Sequence, residues 1–88
     1  MINRAIFKII PMLNIDGVIF GNFRTGLVGK DLNRCFKEHD DLNLYPEIKY
    51  VIELASDLKK TFNDNMIGFY DFHGHSQKRN VFCYGPQY

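Results

Sequence analysis

Pro46-Glu47-Ile48-Lys49-Tyr50-Val51-Ile52-Glu53-Leu54-Ala55-Ser56-Asp57-Leu58-Lys59-Lys60-Thr61-Phe62 is the stretch whose reading decides the fold. Ile48, Ile52, Ala55, Leu58 and Phe62 recur at helical spacing and define one apolar face. Pro46 suits the first helical position, and Glu47 suits the positive end of the macrodipole. Lys59 and Lys60 favour its negative end, and Asn63-Asp64-Asn65 stops the helix. An apolar run lies on each side. Ala5-Ile6-Phe7-Lys8-Ile9-Ile10, ending at Pro11, reads as a buried strand, and Met66-Ile67-Gly68-Phe69-Tyr70 reads as a second. Val81-Phe82-Cys83-Tyr84 reads as a further strand. Strand, helix, strand is a crossover, so the first two strands are expected to be parallel and the connection right-handed. The expected fold class is α/β, a partial sheet with a long functional loop.

That loop runs from Met12 to Tyr45. Gly17, Gly21, Gly26 and Gly29 punctuate it, and Asn14-Ile15-Asp16-Gly17 reads most simply as a turn. Loops of this length in compact domains are usually functional. In parallel sheets, ligands gather at the carboxyl ends of the strands. Two polar clusters follow those ends: Gly29-Lys30-Asp31-Leu32-Asn33-Arg34 and Asp71-Phe72-His73-Gly74-His75-Ser76.

At 88 residues and 45% hydrophobic, the chain is globular in composition and long enough for one small core only. A net charge of +1 gives no electrostatic case for nucleic acid or an anionic membrane. Lys78-Arg79 reads as a solvated turn. No apolar run reaches the ~20 residues that span a bilayer. Cys35 and Cys83 build no disulfide framework and read as reduced thiols, Cys83 within the core. No leader-and-cleavage pattern is present. The expected location is cytoplasmic.

His73 is the first candidate for chemistry. A neutral imidazole is a good zinc ligand when its other nitrogen is held by a partner. On an extended segment, Asp71, His73 and His75 would point to one side. The alternative is a pair of hydrogen-bonded surface histidines. A structural zinc site built from His73, His75 and a cysteine is a further reading. Asn33 and Arg34 are the second candidate. A guanidinium grips a carboxylate bidentately, and the adjacent amide adds directed hydrogen bonds. The plainer reading is a surface arginine paired with Asp31 or Glu38. Arg24 could stabilise an oxyanion or be a solvated loop charge. Asp31 could orient a metal-bound histidine or cap a turn.

Four motifs taken together go further. Ile10-Pro11-Met12-Leu13-Asn14-Ile15-Asp16-Gly17-Val18, Gly21-Asn22-Phe23-Arg24, Gly29-Lys30-Asp31-Leu32-Asn33-Arg34 and Asp71-Phe72-His73-Gly74-His75-Ser76 resemble, in order and approximate spacing, the zinc carboxypeptidases. The closest resemblance is to the cytosolic carboxypeptidase branch, whose members remove glutamates from protein C-termini or side chains, tubulin included. The resemblance covers nearly the whole chain. It implies that His73 is a zinc ligand, the one after the crossover. It implies that Arg24 polarises the scissile carbonyl, that Asn33 and Arg34 bind the substrate's terminal carboxylate, and that Asp31 orients another zinc-binding histidine. It also implies Zn2+ as cofactor and peptide or protein C-termini as partners.

The chain departs from the family pattern as well. The family's His-x-x-Glu zinc pair belongs before Ala5, and its general-base glutamate belongs after Tyr88. Ile15 stands where the family usually has proline. Residues 1–88 are therefore expected to be an internal part of a larger catalytic domain, inactive and marginally stable when alone. A non-catalytic module that binds peptide C-terminal carboxylates is the alternative.

Overall fold

The computed structural model describes residues 5–37 and 41–85. The first element is α1, Ile15–Phe20, in the segment where a turn is expected. Asn14 converts that turn into a helix start. Its side-chain Oδ1 accepts a hydrogen bond from the Gly17 N–H at 3.0 Å, satisfying one of the otherwise orphaned amides. Gly17 has to be glycine for this arrangement, because a Cβ there would collide with the Asn14 side chain.

After α1 the chain folds into a tight loop. Thr25 and Asp31 form an isolated antiparallel bridge, and Gly26 N–H donates to Lys30 O at 3.0 Å. Gly29 closes the tip at φ 75°, a left-handed conformation that costs glycine little. A 3-10 turn, Leu32–Arg34, follows at once. Residues 12–37 are thus built from local elements and are not structureless.

The long helix α2 spans Pro46–Phe62 and has proline at its first turn, as its sequence predicts. Asn63 ends it at φ 40° and opens a second 3-10 turn, Asn63–Asn65. Its buried stripe is offset from the expected one. Ile48 and Val51 are buried, whereas Ile52 is 38% exposed. Ala55, Leu58 and Phe62 are half-buried, so the stripe follows steps of three and four from Ile48.

The core is small. Leu32, Cys35, Tyr45 and Ile48 form one buried cluster, with Leu13 and Leu42 packed against it. It joins the 3-10 turn to the start of α2, and so fixes Asn33 and Arg34 relative to the long helix. Cys35 is fully buried, and its thiol donates to Asp31 O at 3.3 Å. Both cysteines are free, and Cys83 is exposed, against the expectation of a core position. An exposed position follows from its surroundings: Val81 and Tyr84 on either side are also exposed.

Segments 5–10, 66–70 and 81–84, read from sequence as strands, carry no strand pairing here. Ile6, Phe7, Ile9, Ile67 and Tyr70 are exposed. A strand is stabilised by its neighbours on each side, and these runs have none among the described residues. The total accessible surface is 8603 Å². A folded monomer of 10.3 kDa exposes about 5,400 Å². These unpartnered apolar runs contribute to the surplus, as do Ile19, Phe20, Phe23 and Phe72, all exposed as well. No helix among the described residues is long and apolar enough to cross a membrane.

Candidate functional site

The site is assembled from three loops held by side-chain to backbone hydrogen bonds. Asn14 begins it. While its oxygen caps α1, its Nδ2 donates to Arg24 O at 3.3 Å and to Thr25 O at 3.2 Å. Asn22 Nδ2 donates to the same Thr25 oxygen at 3.2 Å. The backbone carrying Arg24 is thereby tied to the start of α1.

Arg24 then reaches across the loop, where its Nη2 lies 3.0 Å from Asp31 Oδ2. The arginine side chain is 52% exposed and the aspartate 24%. Solvent screens such a pair, so its value is orientation more than stability. The other Asp31 oxygen accepts from Asn33 N at 3.0 Å and caps the 3-10 turn. Of the two sequence readings of Asp31, the turn cap is realised; its charge partner is Arg24, not the Arg34 that the plainer reading paired with it, and Glu38, the other partner of that reading, lies outside the described residues.

Asn33 extends the chain of contacts. Its Nδ2 lies 3.2 Å from His73 Nε2, forty residues away in sequence. His73 Nε2 lies 2.7 Å from Asp71 Oδ2. Arg24, Asp31, Asn33, His73 and Asp71 thus form one connected polar line across the two clusters. Arg34 adjoins the line through the 3-10 turn but stays outside it. Its side chain is exposed, and among the described residues no hydrogen bond or ion pair engages it.

His75 takes a structural part. Its Nδ1 accepts from Gln77 N at 3.2 Å and Lys78 N at 2.9 Å, and so caps the turn that follows. Its ring meets Phe82 edge-on, with centroids 5.2 Å apart. Lys78 is not simply solvated: its ammonium sits 4.9 Å from the Phe82 centroid and 4.6 Å from that of Tyr84. The proposed grouping of His73, His75 and a cysteine is not assembled. Among the described residues no three His, Cys, Asp or Glu side chains gather as a metal cage.

The donor chemistry at His73 does fit one bond to a metal. Asp71 engages Nε2, and no partner among the described residues engages Nδ1. Two contributors, Asn14 and Asp71, carried no site role in the sequence reading. Asn14 was visible only as a polar residue three before a glycine, a helix-start signature hidden inside a turn-like tetrapeptide. Asp71 was visible as the residue two before His73, on the same side of an extended segment.

No family model matches the chain, and no solved structure matches it. Curated relatives do. Cytosolic carboxypeptidase 1 of Danio rerio is 49% identical over 80 residues, which is 91% of this chain and 7% of that protein. Cytosolic carboxypeptidase 4 of Mus musculus is 51% identical over 80 residues, again 91% of this chain and 7% of that protein. Cytosolic carboxypeptidase 2 of Mus musculus is 46% identical over 81 residues, 91% of this chain and 9% of that protein. The chain therefore spans under a tenth of the length of these relatives.

Proposed function

We propose, because this chain belongs to the cytosolic carboxypeptidases, that it supplies the substrate-binding part of a zinc metallocarboxypeptidase acting on C-terminal residues, glutamate foremost, of peptides and proteins such as tubulin. The observation that carries this reading is the polar line from Arg24 through Asp31 and Asn33 to His73. Loops distant in sequence meet there, with an anion-binding group at one end and a metal-type ligand at the other.

His73 would hold the metal through Nδ1, together with ligands from outside these 88 residues. Zinc, when bound in such a site, supplies Lewis-acid polarisation and a water activated for attack. The chain's own residues would do the rest. Arg34 and the Asn33 amide would grip the substrate's terminal carboxylate, a planar anion suited to a guanidinium. Arg24, anchored by Asn14 and aimed by Asp31, would move onto the carbonyl oxygen as negative charge develops there. Holding the substrate at both ends of its last peptide bond supplies the positioning part of the rate gain. In the longer protein, segments 5–10 and 66–70 would pair as parallel strands, with 81–84 beside them. The location is cytoplasmic on this reading, and the chain alone is inactive.

A chimera tests it. The 88 residues replace the matching segment of Danio rerio cytosolic carboxypeptidase 1, and release of glutamate from a peptide C-terminus is followed. Zinc-dependent release that is lost in His73→Ala is expected. A folded, zinc-loaded chimera that binds the peptide and its C-terminal amide equally well, and cleaves neither, rejects the proposal. Binding of the free acid without cleavage would favour a carboxylate-binding module.

A further inference from the structure

His73 Nε2 lies within reach of two groups at once, Asp71 Oδ2 at 2.7 Å and Asn33 Nδ2 at 3.2 Å. One ring nitrogen cannot serve both. A carboxylate only accepts, so a bond to Asp71 requires a proton on Nε2. An amide NH2 only donates, so a bond from Asn33 requires that Nε2 be bare. The two contacts belong to different tautomers of the same ring. The Asp71 contact is shorter and charge-assisted, and bonds of that kind are about twice as strong as neutral ones. It therefore decides the tautomer.

We infer that Asp71 is a positioning residue: it accepts a hydrogen bond from Nε2–H of His73 and so holds the proton on that nitrogen, which leaves the Nδ1 lone pair as the metal donor and releases the Asn33 amide for a substrate carboxylate. The inference rests on the proposed function for its purpose, though its geometry stands on this chain alone. With the proton on Nε2, Nδ1 is the sole ring nitrogen with a free lone pair. In the opposite tautomer Nδ1 carries the proton, and Asn33 is occupied by the histidine. Metal donation and readiness of the carboxylate clamp are therefore two outcomes of one proton position. A metal at Nδ1 and a carboxylate at Asn33 select the same tautomer, so each strengthens binding of the other.

The test is a cycle of variants of the chimera, with its histidines isotope-labelled and His73 assigned by its loss in His73→Ala, freed of metal at a pH where the ring is neutral. Imidazole nitrogen and proton NMR reports the tautomer of His73 in the wild type, Asp71→Ala, Asn33→Ala and the double variant. The wild type is expected to be Nε2-protonated, and Asn33→Ala to match it. Asp71→Ala should move the ratio toward Nδ1–H by at least about fivefold, because Asn33 then donates to a bare Nε2. The double variant should relax to the mixture of a free imidazole. Four identical spectra, or an Nδ1-protonated wild type, overturn the inference. Activity of the chimera is a separate readout. An active chimera with no tautomer change removes the role of Asp71 alone, and an inactive chimera with the predicted change removes the function alone.

Discussion

Arg24 and Asp31 are joined across the neck of the 25–31 loop, Nη2 to Oδ2 at 3.0 Å, beside the Thr25–Asp31 bridge. The same carboxylate caps the 3-10 turn through Asn33 N at 3.0 Å. The two roles can be separated. Asp31→Asn keeps an acceptor for the cap and loses the ion pair, while Asp31→Ala loses both. A cap is worth about 1 kcal/mol. Hydrogen exchange at the Asn33 amide should therefore quicken about fivefold in Asp31→Ala and little in Asp31→Asn. Equal exchange in the two variants would show that the carboxylate does not cap the turn.

Asn14 makes three hydrogen bonds, one to its own helix and two to the loop of Arg24. Gly17→Ala places a methyl where that side chain sits. Asn14→Ala and Gly17→Ala should thus share a phenotype. Each is expected to destabilise by about 1–3 kcal/mol and to lower kcat in the chimera more than it raises KM. The double variant should cost little more than either single one, since both remove one set of contacts. Additive losses in urea melts would show that the two residues act apart.

How much of this was legible in the sequence follows from range. The helix Pro46–Phe62 was readable because its cause is local: proline at the start, lysines at the end, a periodic face between. The offset from Ile52 to Val51 was not readable, because a helix of this composition has two adjacent apolar residues at that level. The residues that surround the inward face lie elsewhere in the chain: Leu32, Cys35 and Tyr45 cluster with Ile48, and Ile10, Met12, Leu13 and Ile15 line the hollow beside Val51. Motif order singled out Arg24, Asp31, Asn33, Arg34 and His73, of which all but Arg34 meet in one line of contacts. The contact between Asn33 and His73 spans forty residues and is set by packing, not by spacing. Runs 5–10, 66–70 and 81–84 have strand composition, yet composition does not supply a neighbouring strand.

The choice between Val51 and Ile52 is itself measurable. Ile48 is fully buried and Val51 is 7% exposed, against 38% for Ile52. Ile48→Ala should cost about 2–4 kcal/mol and Val51→Ala about 1–2, while Ile52→Ala should stay within about 1 kcal/mol. Denaturant midpoints of the chimera give the order. A larger loss at Ile52 than at Val51 would restore the face expected from sequence.

Arg34 is exposed and unengaged among the described residues, so its replacement should spare the fold. Its assigned role is to meet a planar carboxylate with a planar guanidinium. Arg34→Ala in the chimera is expected to raise KM about 10- to 100-fold with a smaller change in kcat. Arg34→Lys keeps the charge but loses the fork, and should recover only part of the loss. An unchanged KM with both variants would remove Arg34 from the clamp.

Ile10, Met12, Leu13 and Ile15 face Tyr50, Val51 and Leu54 of α2 across a shallow apolar hollow. Most of these side chains remain substantially exposed, Ile15 at 51% and Tyr50 at 67%. Contiguous apolar surface of this kind is rare on stable monomers and promotes association. The unpaired runs at 5–10 and 66–70 add sheet-forming backbone to the same risk. The 88-residue chain is therefore expected to self-associate at micromolar concentration and to bind a hydrophobic dye. Ile15→Lys and Leu54→Lys, on the two walls of the hollow, should each reduce dye binding and lower the weight-average mass in sedimentation. A wild-type chain that sediments as a monomer and unfolds in one cooperative transition would mean that this surface is stable as it stands in water.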